Sequence, residues 1–180
     1  DRLLKVIPDM DYPEEMRSEL LALTNQTLCD GLPAVAGEKI IEGYFAVFNQ
    51  ETELWPGAFE EISPEAFNGS LSNDIRALTN HETTLVLGRN KSGTLKLSVD
   101  SRGLWGQITI NENDSDALNL YERVKRGDVD QCSFGFNILN EETDWREDGT
   151  VKWLLKEIDL HEVSVVTFPA YEDTGVQARH

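Results

Sequence analysis

Cysteine is nearly absent from this 180-residue chain, with Cys29 and Cys132 as its two examples. Two cysteines cannot build a disulfide framework, so the composition fits a reducing compartment and excludes a disulfide-stapled miniature. Histidine is almost as scarce. His81, His161 and His180 show no HEXXH-like or paired spacing, and with the two cysteines they make no metal-ligand pattern. No apolar run approaches the ~20 residues needed to cross a bilayer, and the first residues do not read as a signal peptide. Basic residues are also few. Sixteen Lys and Arg face 33 Asp and Glu, a formal charge of −17, and so acidic a surface repels a phosphate backbone. These shortages argue against metal, membrane and nucleic-acid chemistry, and no cofactor is expected. They leave a chain long enough for one sizeable core, and the length favours a single domain with an appendage.

What is present is mostly strand. Ile40 to Phe48 is the first strong strand, and Ile75 to Thr79 reads as a short one. Leu95-Leu97-Val99 and Leu104-Gly106-Ile108-Ile110 flank Asp100-Ser101-Arg102-Gly103 as a hairpin. Val151 to Glu157 and Ile158 to Thr167 supply the last strands, after a charged, exposed loop over Asn140 to Gly149. Helices are fewer. Pro13-Glu14-Glu15 followed by Met16, Leu20, Leu23 and Leu28 describes an amphipathic helix, which packs on the core or on a partner. Ser63-Pro64-Glu65 carries the cap and first-turn proline of a short helix. Ser115 to Arg126 reads as a third, with Leu118, Tyr121 and Val124 on one face and Gly127 ending it. Leu32 to Lys39 reads as a linker, dividing an N-terminal segment, 1–39, from a domain over 40–180. Asp1 without a methionine reads as a processed product, an internal fragment or a designed truncation.

Ser133 is the most informative position. In Gln131-Cys132-Ser133-Phe134-Gly135-Phe136-Asn137, strand alternation sends Cys132, Phe134 and Phe136 into a core and Ser133, Gly135 and Asn137 to the other face. A glycine within a strand often marks close approach by a ligand or another backbone. A packing gap under a crossing element explains the same residues. Asn80-His81-Glu82 follows the strand at Ile75, and Glu162 stands in a Val-rich strand, where a carboxylate needs a partner. A serine, a histidine and a carboxylate on separate strands are the parts of a hydrolytic triad. Cys132 is a competing nucleophile, against which its shared face with Phe134 and Phe136 argues.

Seven runs, in order, carry a resemblance. They are Gly43-Tyr44-Phe45-Ala46-Val47-Phe48-Asn49, Pro56-Gly57-Ala58-Phe59, Asn80-His81-Glu82, Leu87-Gly88-Arg89, Gly93-Thr94-Leu95-Lys96-Leu97, Ser133-Phe134-Gly135-Phe136, and Glu162-Val163-Ser164-Val165-Val166 through Pro169-Ala170-Tyr171. Over residues 40 to 179 the chain resembles the phage prohead (capsid maturation) serine proteases, relatives of the herpesvirus assemblins. The resemblance implies a mainly β fold with a few helices, a closed or nearly closed β-barrel wrapped by helices. It implies a serine endopeptidase with Ser133 as nucleophile, His81 as general base and Glu162 orienting His81. His161 stands as the alternative third member, since viral relatives place a histidine near this step. An oxyanion donor is expected near Ala170 to Gly175, with Arg89 either supporting it or forming a surface ion pair. The implied substrate is the scaffolding segment of the major capsid protein, and the protease itself, inside the prohead in the host cytoplasm. A homodimer or capsid-associated form is implied as well. A catalytically silent capsid module of the same fold, or a peptide-binding groove at Gly135, remains the alternative to an enzyme.

Overall fold

The computed structural model describes residues 37–171 and 173–179. The expected helix at Pro13 to Leu28, and most of the expected linker, lie outside the described residues. Among the described residues, ten strands carry the fold. In chain order they are β1 (Ile40–Val47), β2 (Thr52–Trp55), β3 (Ala58–Ile62), β4 (Arg76–Thr79), β5 (Glu82–Arg89), β6 (Leu95–Val99), β7 (Gly103–Thr109), β8 (Gln131–Trp145), β9 (Val151–Val166) and β10 (Gly175–Arg179). One α-helix, α1 (Ser115–Arg126), is present among the described residues, with a short 3-10 turn at Asn90–Ser92.

The strands form two sheets. One runs β10-β1-β7-β6. The other runs β2-β3-β9-β4-β5, with β8 pairing β9. Both sheets contribute to one buried cluster, in which Ile41, Phe45, Leu104 and Ile108 meet Ala77, Phe134, Leu155 and Val163. The fold is therefore mainly β as expected. Among the described residues two sheets and one α-helix are observed, not closed into a barrel, where a closed or nearly closed barrel wrapped by helices was expected.

α1 follows its sequence signals closely. Asp114 caps it by accepting from the N–H groups of Asp116 (3.0 Å) and Ala117 (3.3 Å). Gly127 ends it at φ 83°, a left-handed conformation that costs glycine little. Its buried face is Ala117, Leu120, Tyr121 and Val124. Leu118 lies at the margin of that stripe instead of at its centre.

Two local expectations are corrected. Ser63-Pro64-Glu65 opens a series of turns and not a helix, with i to i+3 bonds at Ala66, Asn68 and Ser70. The reason is tertiary: the Ala66 carbonyl, which a helix would need, accepts instead from the Ile158 N–H at 3.0 Å. The second correction is Asn140 to Gly149. There β8 continues to Trp145, each residue from Glu141 to Trp145 registered against β9, and the turn shrinks to Arg146–Thr150. Both faces of this outer ladder meet solvent, so its residues carry charge on each and show no period-two pattern.

Ser70 gives a stability test. Its hydroxyl is buried without a hydrogen-bond partner among the described residues, and such a group pays desolvation for nothing in return. Ser70→Ala is expected to be neutral or to stabilise by up to ~1 kcal/mol. Urea unfolding measures it, and a loss beyond ~1 kcal/mol would mean that the hydroxyl has a partner.

Candidate active site

β9 builds the site because it is paired on both edges. Along one edge β8 runs antiparallel, with Ser133 opposite Ser164 and Gly135 opposite Glu162. Along the other, β4 runs parallel, with Arg76 beside Glu162 and Leu78 beside Ser164. Residues in register share a face. Ser133, Gly135, Glu162 and Ser164 therefore share one side of the sheet, and Cys132, Phe134, Val163 and Val165 the other, in the core. The alternation read from the sequence holds.

His81 arrives from the end of β4. Thr79 pairs with Glu82, leaving Asn80 and His81 as a two-residue turn with φ of 49° and 59°. Positive φ at both central positions defines a type I′ turn, sterically demanding for a histidine. The turn is tied to β9. Asn80 N–H donates to the Val165 carbonyl (2.9 Å), and Thr167 N–H donates to Asn80 Oδ1 (3.0 Å). His81 N–H donates to Ser164 Oγ (3.1 Å).

So held, the imidazole meets the carboxylate: His81 Nδ1 hydrogen-bonds Glu162 Oε1. An ionised carboxylate can only accept, which assigns the proton to Nδ1 and leaves Nε2 as the acceptor nitrogen. The other carboxylate oxygen, Oε2, accepts from Ser164 Oγ at 2.6 Å. His161 is not part of this group; its side chain is half exposed, with Nε2 3.7 Å from Asp159 Oδ2. Among the described residues no hydrogen bond joins Ser133 to His81. Ser133 sits instead one strand across from the residue that holds the His81 backbone.

The open space expected beside Gly135 is where Glu162 lies. A Cβ on Gly135 would stand 2.5 Å from Glu162 Oε1 and 3.0 Å from its Cγ. Glycine thus leaves the room in which the Glu162 carboxylate lies.

The core side of β8 closes one question. Cys132 is fully buried, its Sγ 2.9 Å from the Tyr44 carbonyl, and burial pushes its thiol up to about 12. A thiol so far above neutral supplies no thiolate nucleophile. Arg89 takes one of its two expected readings, the ion pair. It grips Asp74 through Nε (2.7 Å) and Nη2 (2.5 Å), and this bonding holds the Asp74 carboxyl down at about 2. It stands three strands from β8, about 14 Å at the usual strand spacing.

The segment after β9 is laced to β8 and the residue before it. Thr174 Oγ1 donates to the Cys132 carbonyl (2.6 Å), and Val176 N–H donates to the Asp130 carbonyl (2.9 Å). The Tyr171 ring stacks on Phe134 with centroids 5.6 Å apart, and its hydroxyl donates to the buried Glu60 carboxyl on β3. Burial first, and then the charge of Glu141, push Glu60 up to about 7. Among the described residues no group of three or more His, Cys, Asp or Glu side chains could hold a metal ion.

Against known proteins, the model of the caudovirus prohead serine proteases matches residues 31–180. The chain belongs to that family. The prohead protease of Enterobacteria phage HK97 is 32% identical over 144 residues, which is 77% of this chain and 59% of that protein. The chain thus spans less than two thirds of that relative's length. Among solved structures, KSHV protease, captured with a hexapeptide phosphonate inhibitor, superposes with a TM-score of 0.52 at 14% identity, over 79% of this chain and 65% of that one. That likeness is one of fold, and it bears out the expected resemblance in fold to the herpesvirus proteases.

Ser164, quoted in the sequence only as part of a run, is the site residue to which sequence reasoning gave no role. Its signal was there: Glu162 and Ser164 alternate with Val163 and Val165, so two polar residues share the face opposite the valines.

Two predictions follow from this geometry. Gly135→Ala is expected to push the Glu162 carboxylate off Nδ1, since a flexible side-chain end yields more easily than backbone. The low-field imidazole N–H resonance of the native protein should then be lost in proton NMR while stability changes by less than ~1 kcal/mol. A retained resonance would mean that the carboxylate does not depend on the glycine. For Glu60, a carboxyl raised in the folded state binds more protons there than in the unfolded chain between about 4.5 and about 7. Its contribution is therefore most favourable below 4.5 and is lost as pH rises through 7. Glu60→Gln is expected to be more stable than the native chain at pH 8 by roughly 1–3 kcal/mol and to match it at pH 4.5. Equal stabilities at pH 8 would place the Glu60 titration in the ordinary range.

Proposed function

We propose that this chain is a serine endopeptidase of capsid maturation, with Ser133 as nucleophile, His81 as general base and Glu162 as the group that orients His81. The observation that carries the reading is the Glu162–His81 pair, held on β9 directly across from the strand that presents Ser133. With Nδ1–H committed to Glu162, Nε2 is the basic nitrogen. It takes the Ser133 proton as Oγ attacks the scissile carbonyl carbon, and then passes that proton to the departing amine. Water attacks the resulting acyl-enzyme by the same route, giving its proton to Nε2 and restoring the Ser133 hydroxyl. The tetrahedral oxyanion needs backbone donors. The segment from Ala170 to Gly175, tied to β8 through Thr174, is the candidate source.

The proposed substrate is the scaffolding segment of the major capsid protein, and the protease itself, within the prohead; membership of the prohead protease family supports this reading. The acidic surface suits a polypeptide substrate better than a phosphate backbone. The peptidase domain corresponds to residues 40–180, and the segment 1–39 is assigned to docking, either on a second copy or on the capsid. The spacing of Met16, Leu20, Leu23 and Leu28 in the sequence supports that assignment. The missing Ser133–His81 hydrogen bond favours a second reading, a catalytically silent capsid module. Catalytic contacts in unliganded enzymes are commonly long and tighten on substrate, which keeps the enzyme reading ahead.

Ser133→Ala is expected to lower cleavage of a capsid–scaffold fusion by about 10⁶ while the fold persists. A fluorophosphonate should label the native chain at Ser133 and leave the variant unlabelled. Cleavage at an unchanged rate by Ser133→Ala would remove Ser133 from the mechanism. Failure of the native protein both to cleave and to label would select the silent module.

A further inference from the structure

Ser164 is fully buried, and its hydroxyl bonds to both partners of the imidazole–carboxylate pair. It accepts from the His81 backbone N–H at 3.1 Å and donates to Glu162 Oε2 at 2.6 Å. Glu162 Oε1 then returns to the His81 ring at Nδ1. The three bonds close a circuit that begins at the backbone of His81 and ends at its side chain. A serine hydroxyl has one proton, and a carboxylate has none to give. The direction of the circuit is therefore fixed: backbone N–H to Oγ, Oγ–H to Oε2, Nδ1–H to Oε1.

We infer that Ser164 is a positioning residue for the proposed triad, setting the orientation of Glu162 and, through it, of the His81 ring. This rests on the reading of Ser133, His81 and Glu162 given above. The terminal torsion of a glutamate is broad, so a carboxylate held at one oxygen alone can swivel. Gly135 offers no side chain to stop it, since that position is open to let the carboxylate lie there. Ser164 supplies the second point of attachment. The same hydroxyl steadies the left-handed backbone at His81, whose turn is otherwise tied to β9 through Asn80. Side chain and backbone of the base are thus located by one atom. That atom belongs to the residue in register with Ser133 on the neighbouring strand. The ladder that places the nucleophile therefore places the base as well.

A serine that only fills space would behave differently from one acting through Glu162, and a double-mutant cycle separates them. The readout is the second-order rate of fluorophosphonate labelling at Ser133, which needs no knowledge of the natural cleavage sequence. Ser164→Ala is expected to slow labelling roughly 10- to 100-fold, the worth of a buried hydrogen bond to a charged group. In an E162A background the same change should cost less than about threefold, because its target is gone. Ser63→Ala, at another buried serine outside the site, should label at the native rate. The low-field imidazole resonance should shift or vanish in Ser164→Ala. Equal losses in both backgrounds would overturn the inference, and so would native labelling by Ser164→Ala. In that second case a slow E162A and an unlabelled S133A would leave the triad reading standing. Native labelling by E162A would instead bring down the triad reading and this inference together.

Discussion

The two-edged pairing of β9 is the constraint on which the site depends. A sheet ladder fixes its neighbours in register, and a slip of one residue turns every side chain to the opposite face. Here β8 on one edge and β4 on the other are registered against the same three-residue step, Glu162-Val163-Ser164. Ser133 and His81 lie 52 positions apart in the chain, yet both are located by that step. A shift of β8 by one residue would carry Ser133 into the core and bring Cys132, with its raised thiol, to the polar face. The length of the β8–β9 ladder, which extends far beyond the site to Trp145 and Val151, opposes such a slip by adding hydrogen bonds that would all have to break.

The polar face carries two unfavourable features that offset each other. A half-buried carboxylate costs free energy unless its oxygens find donors. A non-glycine residue at φ 59° costs of order 1 kcal/mol or more. Glu162 recovers its cost through donors on both oxygens, Nδ1–H of His81 and the Ser164 hydroxyl. The His81 turn recovers its strain through bonds to Val165, Thr167 and Ser164. Each feature is stabilised by the other, so backbone strain and buried charge coincide at one place, as they do at sites selected for function rather than stability.

The sequence disclosed this arrangement unevenly. Alternation alone placed Ser133 and Gly135 opposite Cys132 and Phe134, because a strand has only two faces and the aromatic residues claim one. Gly127 and the apolar spacing disclosed α1 for equally local reasons. Which histidine and which carboxylate meet is a matter of register between distant strands, and that came from the family resemblance, not from spacing. The turns after Ser63 look helical locally and are overruled by the Ala66–Ile158 bond, which is invisible in a single chain segment. The outer half of β8 looks like a loop because solvent on both faces removes the period-two signal. The closure expected from the resemblance is likewise a property of sheet edges, where sequence carries little information; the observed strands pair into two sheets.

The core side of β8 shows how firmly the strand that carries Ser133 is anchored. Phe134 follows Ser133 directly and is packed between Phe67, at a centroid distance of 5.8 Å, and Tyr171, at 5.6 Å. Offset and edge-on aromatic contacts of this kind add roughly 0.5–1.5 kcal/mol each beyond the area they bury. Tyr171 belongs to the segment after β9, whose Thr174 bonds the Cys132 carbonyl, the residue preceding Ser133. Ser133 is therefore flanked in sequence by two residues that are each fastened to that segment, one through its ring and one through its carbonyl. The segment and Ser133 therefore share one anchorage. A site that must hold reacting atoms within a fraction of an ångström needs that kind of shared support. Here the support comes from packing on the core face of the sheet, opposite Ser133 and Glu162.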